Sequence, residues 1–323
     1  MFTLDELDAA HSLVRKRVSP TPQHRWPLLA EATGTELWVK HENHTATGAF
    51  KVRGGLVFVD DLERRHPDVE GIISATRGNH GQSLAFAGRA AGLAVVIVVP
   101  TTNSPEKNRA MRAFGAELVE FGHDFDAARV HATTLAEQRG LFMVPSFDPL
   151  LVRGVATYAR ELFAAAGELD AVYVPIGMGS GICGLMRTRD LLGFHTEIVG
   201  VVANGAPAYR LSYEAGRPVA TERATTFADG MACRDPHPDA VAAIRAGAER
   251  IVEVDDHDIA EAMRLYYTAT HNLAEGAGAA PLAALMQERE HMAGKRVGVI
   301  LCGGNVDVPV FRQVLAGETP MPF

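Results

Sequence analysis

The chain has 323 residues, 47% of them hydrophobic, enough to build a sizeable core in two domains or one large α/β unit. Its formal net charge is -8 and no stretch concentrates Lys and Arg, so a phosphate-tracking nucleic-acid surface is not expected. No apolar run approaches the ~20 residues that a bilayer-spanning helix needs, and Met1 to Val18 lacks the basic-then-apolar layout of an export signal, so no membrane partner is expected either.

The chain opens on an amphipathic helix in which Thr3 and Glu6 form a capping box and Leu4, Leu7, Val14 and Val18 share one side. After the Pro-punctuated Ser19 to Pro22, the alternation from Thr35 to Lys40 predicts a strand. A polar loop, Glu42 to Gly55, leaves that strand and carries Lys51 between Phe50 and a set of glycines. Lys51 is either a solvated residue at a helix start or an amine in a partly dry pocket, where its charged form is disfavoured and it becomes a nucleophile or base.

Next come a strand at Ile72 to Ala75 with a helix from Asn79 to Ala91, and a strand at Val95 to Val99 with a helix opened by Ser104 and Pro105. Glu117 to Phe121 precedes a further helix reaching about Gln138. Ala171 to Ile176, Ile198 to Val202, Ile251 to Val254 and Val297 to Leu301 are the remaining strand candidates. Alternation of this kind predicts an α/β protein with mostly parallel sheets covered by helices on both faces. The charged stretch 60–70 and the turn at 145–149 suggest a large domain of residues 1–60 and 148–323 and a smaller, mobile one of residues 61–147, with a ligand cleft between them.

Three glycine-rich turns follow strands. Gly177, Met178, Gly179, Ser180 and Gly181 lie between a strand and a helix, where backbone amides and a helix N-terminus suit a phosphate. The next strand ends without the carboxylate a dinucleotide site requires, and no Lys-Ser/Thr follows the glycines. A single phosphate on a small cofactor, or a tight turn without a ligand, are the two readings left. The second turn holds Thr76, Arg77, Gly78, Asn79 and His80, whose guanidinium, amides and side-chain amide suit a carboxylate and a neutral polar group. In the third, Cys302 closes a strand before Gly303-Gly304-Asn305-Val306-Asp307.

The three cysteines, Cys183, Cys233 and Cys302, are far apart and lack C-x-x-C spacing, which points away from disulfides and zinc and toward a reducing cytoplasm. His41-x-x-His44 is the one tempting metal pair. At a strand end, positions three apart are expected on opposite faces, and no third ligand is evident, so no metal is expected.

Together, the segments 40–55, 75–83, 174–184 and 301–307 resemble, in order and spacing, the fold-type II pyridoxal-phosphate enzymes, the tryptophan synthase β-like fold, and within them the serine/threonine dehydratase and serine racemase branch. The resemblance implies pyridoxal 5'-phosphate as cofactor, with Lys51 as the residue that forms the imine with its aldehyde and then acts as base. It implies that Phe50 packs near the ring, Asn79 bonds the phenolic oxygen, Gly177 to Gly181 hold the phosphate, Cys302 faces the pyridine nitrogen and Glu275 supports the ring's surroundings. It also implies a homodimer.

Departures from the family pattern shape the expected function. Arg77 stands where racemase members resemble one another in having a serine that protonates the face opposite the lysine, and an arginine is a poor acid. It could instead clamp the substrate carboxylate or a second acidic group, or turn to solvent. Val152-Arg153-Gly154-Val155-Ala156-Thr157 departs from the usual G-Q-G-T, with no evident chemical reason, and 200–208 has no carboxylates where relatives bind a divalent cation. The absence of a C-terminal regulatory domain after Asp307 suggests a catabolic role. The expected activity is therefore a dehydratase, or ammonia-lyase, acting on L-threonine, L-serine, or a bulkier or acidic analogue such as phenylserine or 3-hydroxyaspartate. The alternatives are a racemase, a β-replacement synthase, or a non-catalytic sensor.

Overall fold

The computed structural model describes residues 1–322. Its strands are β1 (Gln23–His24), β2 (Glu36–His41), β3 (Gly71–Ala75), β4 (Ala94–Val99), β5 (Glu117–Glu120), β6 (Phe142–Met143), β7 (Ala171–Pro175), β8 (Glu197–Ala203), β9 (Arg250–Val254) and β10 (Arg296–Leu301). They form two sheets, one ordered β1-β2-β10-β7-β8-β9 and one ordered β5-β4-β3-β6. β1 runs antiparallel to β2, whereas β2, β10, β7, β8 and β9 pair in parallel, as do the four strands of the smaller sheet.

Side-chain alternation explains the smaller sheet. Ile72, Val95, Ile97 and Val99 pack on one face with Phe58, Leu84 and Met111. Ile73, Val96 and Val98 pack on the other with Ala128, Ala132 and Leu135. Successive residues point to opposite faces, so a strand covered on both sides must be apolar throughout, as Val95 to Val99 is. The larger sheet is buried in the same way, with Val172, Val199, Val297 and Ile300 all inaccessible to solvent.

Helix starts follow their capping residues. Thr3 and Glu6 make both halves of the capping box, Ser104 accepts from the Lys107 amide ahead of Pro105, and Asp124 and Asp255 cap the helices Phe125–Arg139 and Asp256–Thr270. Such caps contribute about 1 kcal/mol each.

Three details differ from the sequence-based expectations. Leu4 is not on the buried side of its helix and is 37% exposed, while Leu7 and Val14 are fully buried. The two-residue strands β1 and β6 were not expected, since two residues cannot display an alternation. His41 and His44 are not on opposite faces: the chain turns into a short 3-10 helix, Glu42–His44, and their rings come to 5.2 Å between centroids. Among the described residues no group of three or more His, Cys, Asp or Glu side chains is arranged to hold a metal ion.

Four polar segments leave the carboxyl ends of parallel strands and converge. The Lys51 loop follows β2, the Arg77 turn follows β3, the Gly177 loop follows β7, and Cys302 follows β10. The carboxyl edge of a parallel sheet is where ligands bind in open α/β folds.

Candidate active site

Lys51 is the first residue of the helix Lys51–Arg65, whose first turn contains no acidic side chain. Its Nζ donates to the Ser180 hydroxyl at 3.1 Å and lies 5.1 Å from the centre of the Phe50 ring. Burial pushes the amine down from 10.5 to about 8, an effect the neighbouring Cys302 partly opposes. Lys51 is a half-buried residue at a helix start whose amine is hydrogen-bonded to Ser180, which favours the dry-pocket reading.

Two residues on from Lys51, Arg53 belongs to a buried set of charges. The Arg53 guanidinium donates to Glu42 at 2.7 and 3.0 Å, to both oxygens of Glu161 at 2.8 Å, and to Thr157 Oγ1 at 3.1 Å. Lys40 Nζ donates to Glu161 at 2.7 Å. Two cations thus face two anions, and their hydrogen bonds replace the water they lost. The same contacts explain Gly154 and Thr157, the two positions of 152–157 that keep the glycine and threonine of the usual G-Q-G-T; nothing in them accounts for Val155 and Ala156. A Cβ on Gly154 would lie 2.4 Å from the Arg53 carbonyl oxygen and 2.7 Å from Gly54 Cα, so only glycine lets the two helices meet. Thr157 receives Arg53 and donates to the Gly154 carbonyl at 2.7 Å. One residue on, the Tyr158 hydroxyl donates to the Gly181 carbonyl at 2.9 Å, and its ring meets Phe50 edge-on.

The glycine loop is shaped by close approach. A Cβ on Gly177 would collide with the Gly230 carbonyl oxygen at 2.3 Å, and Gly179 has φ +94°, which favours glycine. The Met178 carbonyl accepts from the Tyr209 hydroxyl at 2.9 Å, which fixes the turn. No side chain caps the helix Ser180–Leu191 that follows, leaving its first amides available to an anion.

The opposite rim is a closed hydrogen-bonded ring. Asn79 Nδ2 donates to Glu275 Oε1 at 2.8 Å, and Asn79 Oδ1 accepts from Asn305 Nδ2 at 2.8 Å. The Asn305 amide donates to Glu275 Oε2 at 3.1 Å, and Asn305 Nδ2 also donates to the Thr47 carbonyl at 2.8 Å. Cys302 Sγ lies 3.9 Å from Glu275 Oε1. Burial raises the Cys302 thiol well above its usual value, so it stays protonated, and burial pushes Glu275 up to about 7. Asn305 was not singled out in the sequence, although it lies in the glycine-rich stretch after β10.

In the turn after β3, Thr76 Oγ1 accepts from the Gly78 amide at 3.2 Å. His80 Nε2 is buried without a partner, and burial, with the charge of Lys51 adding to it, pushes the imidazole down to about 3. Arg77 lines a cleft between the two sheets with Ser104, Lys107, Asp229, Glu275 and Asp307. Lys107 pairs with Asp229 and Ser104 Oγ donates to Asp307 at 2.6 Å, so helix Pro105–Ala113 is tied across the cleft. These partners are 122 and 203 residues apart, and no local pattern announces them.

An amine poised beside a hydroxyl, an uncapped helix start and a ring of neutral donors around a buried carboxyl form one cradle. A family model for pyridoxal-phosphate dependent enzymes matches residues 14–303. The chain belongs to this family. The pyridoxal-phosphate-dependent chain is 35% identical over 311 residues to an L-threonine ammonia-lyase of Geobacter sulfurreducens, covering 96% of this chain and 77% of the relative. It is 33% identical over 309 residues to a beta-hydroxyaspartate dehydratase of Paracoccus denitrificans, covering 95% and 97%. Its fold superimposes on the processed form of threonine deaminase isoform 2 from Solanum lycopersicum with a TM-score of 0.90 at 29% identity, covering 98% and 94%.

Pyridoxal 5'-phosphate is accordingly the cofactor, and the donor set fits it. The amine of Lys51 suits its aldehyde, and the uncapped amides from Ser180 onward suit its phosphate. Asn79, Glu275 and Cys302, which bond to one another, would be the polar groups beside the rest of the ring.

Proposed function

We propose that the enzyme is a dehydratase acting on β-hydroxy-α-amino acids, among which L-threonine, L-serine, phenylserine and 3-hydroxyaspartate are the candidates. The observation that carries this reading is the Lys51 amine, held 3.1 Å from Ser180 with its proton loosened to about 8. The relatives named as threonine ammonia-lyase and hydroxyaspartate dehydratase support the same class.

When bound, the cofactor supplies an aldehyde for the substrate amine and a ring that takes up the electron pair left on Cα. With the cofactor held there, the Lys51 amine would be the base for the substrate's α-proton. Loss of that proton from Cα and of the hydroxyl from Cβ would together remove one water, and the enamine product would tautomerise to an imine that takes up water and splits into ammonia and a 2-oxo acid. Phe50 flanks the Lys51 amine, and the Ser180 hydroxyl accepts its hydrogen bond and so aims it. Asn79 and Cys302 are assigned to the phenolic oxygen and ring nitrogen. A thiol with a raised pKa cannot keep that nitrogen charged as a carboxylate would, which favours elimination over transamination. Thr76, Arg77, Gly78 and His80 are assigned to the substrate.

Residues 61–147 are taken as a unit that closes over the substrate. Its own sheet, and the Lys107–Asp229 and Arg234–Asp126 ion pairs joining it to the rest, support that assignment. A cytoplasmic homodimer working in amino-acid breakdown completes the reading. The three buried free cysteines support a reducing compartment.

The test is spectroscopic and chemical together. Protein purified with cofactor is expected to be yellow, with a visible band that borohydride removes and that Lys51→Ala lacks, and to release 2-oxo acid and ammonia in equal amounts from at least one β-hydroxy amino acid. A coloured enzyme that produces no 2-oxo acid from any of them would refute the dehydratase assignment.

A further inference from the structure

The cleft beside the Asn79–Glu275–Asn305 ring contains five charged side chains whose pairing is uneven. Lys107 is 8% exposed and its charge is answered by Asp229. Asp307 accepts from Ser104, and Glu275 accepts from Asn79 and from the Asn305 amide. Arg77 alone makes no hydrogen bond and no ion pair among the described residues, although it is half-buried and lines the same cleft. It cannot shed its charge as a lysine in that place could. The backbone beside it packs closely, since a Cβ on Gly78 would lie 2.9 Å from the Lys107 side chain, which lines the same cleft.

We infer that Arg77 selects a dicarboxylic substrate, a β-hydroxy-α-amino acid whose distal carboxylate pairs with its guanidinium. The inference rests on the dehydratase reading and narrows its substrate class. The planar fork of arginine matches a carboxylate in two parallel hydrogen bonds, which a substrate methyl or hydroxyl cannot supply. Serine and threonine would leave Arg77 half-solvated and unpaired, which carries little penalty, so they are expected to react more slowly without being excluded. A substrate with a distal ammonium would have to find Asp229 or Asp307, both already engaged, and would face Arg77 across the cleft.

The experiment uses the holoenzyme and reads kcat/KM for 2-oxo acid release from 3-hydroxyaspartate, threonine, serine and 3-hydroxylysine. Wild type is expected to favour 3-hydroxyaspartate. In Arg77→Ser the ratio of kcat/KM for 3-hydroxyaspartate over threonine should fall ~10- to 100-fold, the range for loss of a hydrogen-bonded charged contact. The loss should appear chiefly in KM for the dicarboxylate, and Arg77→Lys should restore part of the ratio. If threonine or serine reacts and the ratio does not change in Arg77→Ser, the inference is overturned while the dehydratase reading stands. A wild-type preference for 3-hydroxylysine overturns it in the same way. If the coloured enzyme releases 2-oxo acid from none of the four, both fall.

Discussion

The amine of Lys51 and the hydroxyl of Ser180 meet at 3.1 Å although 129 residues separate them in the chain. That contact joins the loop after β2 to the helix after β7, and it fixes where an aldehyde must arrive. Attack on an aldehyde needs the neutral amine, and burial has brought that form within reach near pH 8 instead of 10.5. Uptake of pyridoxal 5'-phosphate by the cofactor-free protein is therefore expected to accelerate as pH rises through about 8 and to level off above it. Stopped-flow absorbance over pH 6.5–10 checks this. A rate still climbing steeply at pH 10 would mean that the amine is solvated.

Two residues on from Lys51, the Arg53 guanidinium is wholly buried between Glu42 and Glu161. Removing one partner of such a set leaves uncompensated charge and typically costs about 3–5 kcal/mol. Arg53→Met is expected to lose that much stability in urea unfolding. Gly154→Ala tests the same helix contact without changing charge. Its new methyl would meet backbone atoms of Arg53 and Gly54, which cannot swing away, so a loss of about 1–3 kcal/mol is expected. Unfolding midpoints unchanged by either substitution would show that the two helices do not need this close fit.

Much of the fold was legible because its signals are local. The run Val95 to Val99 is apolar at every position since helices cover both faces of β4, and Ser104-Pro105 marks a helix start by chemistry contained in two residues. The segments carrying Lys51, Asn79, Gly179 and Cys302 were legible as motifs, and the fold brings them together from the two sheets. What stayed hidden is the work of distant pairs. The reason for Gly154 and Thr157 lies in Arg53, about 100 residues earlier, and the Lys107–Asp229 tie crosses the cleft. The His41–His44 approach was not expected because a 3-10 turn, Glu42–His44, replaces the straight strand end that alternation assumes.

Glu275 offers a test of the ring opposite Lys51 that does not depend on catalysis. Its side chain is 3% exposed, and burial raises its carboxyl from 4.5 to about 7 against the opposing effect of Lys107 and of its hydrogen bonds. A carboxyl with a raised folded-state pKa holds its proton more tightly folded than unfolded. The folded protein therefore binds more protons between about 4.5 and 7, and stability from this group is fully present below pH 4.5 and lost as pH rises toward 7. The loss is on the order of 3 kcal/mol for a shift of this size. Glu275→Gln cannot titrate, so the difference between the two proteins isolates this one group from the opposite slope of His80, whose imidazole is pushed down to about 3. In cofactor-free protein, the Tm of wild type is expected to fall relative to that of Glu275→Gln as pH is raised from 5 to 7.5. Parallel curves over that range would mean that Glu275 is already ionised at pH 5, with Asn79 and the Asn305 amide holding a carboxylate.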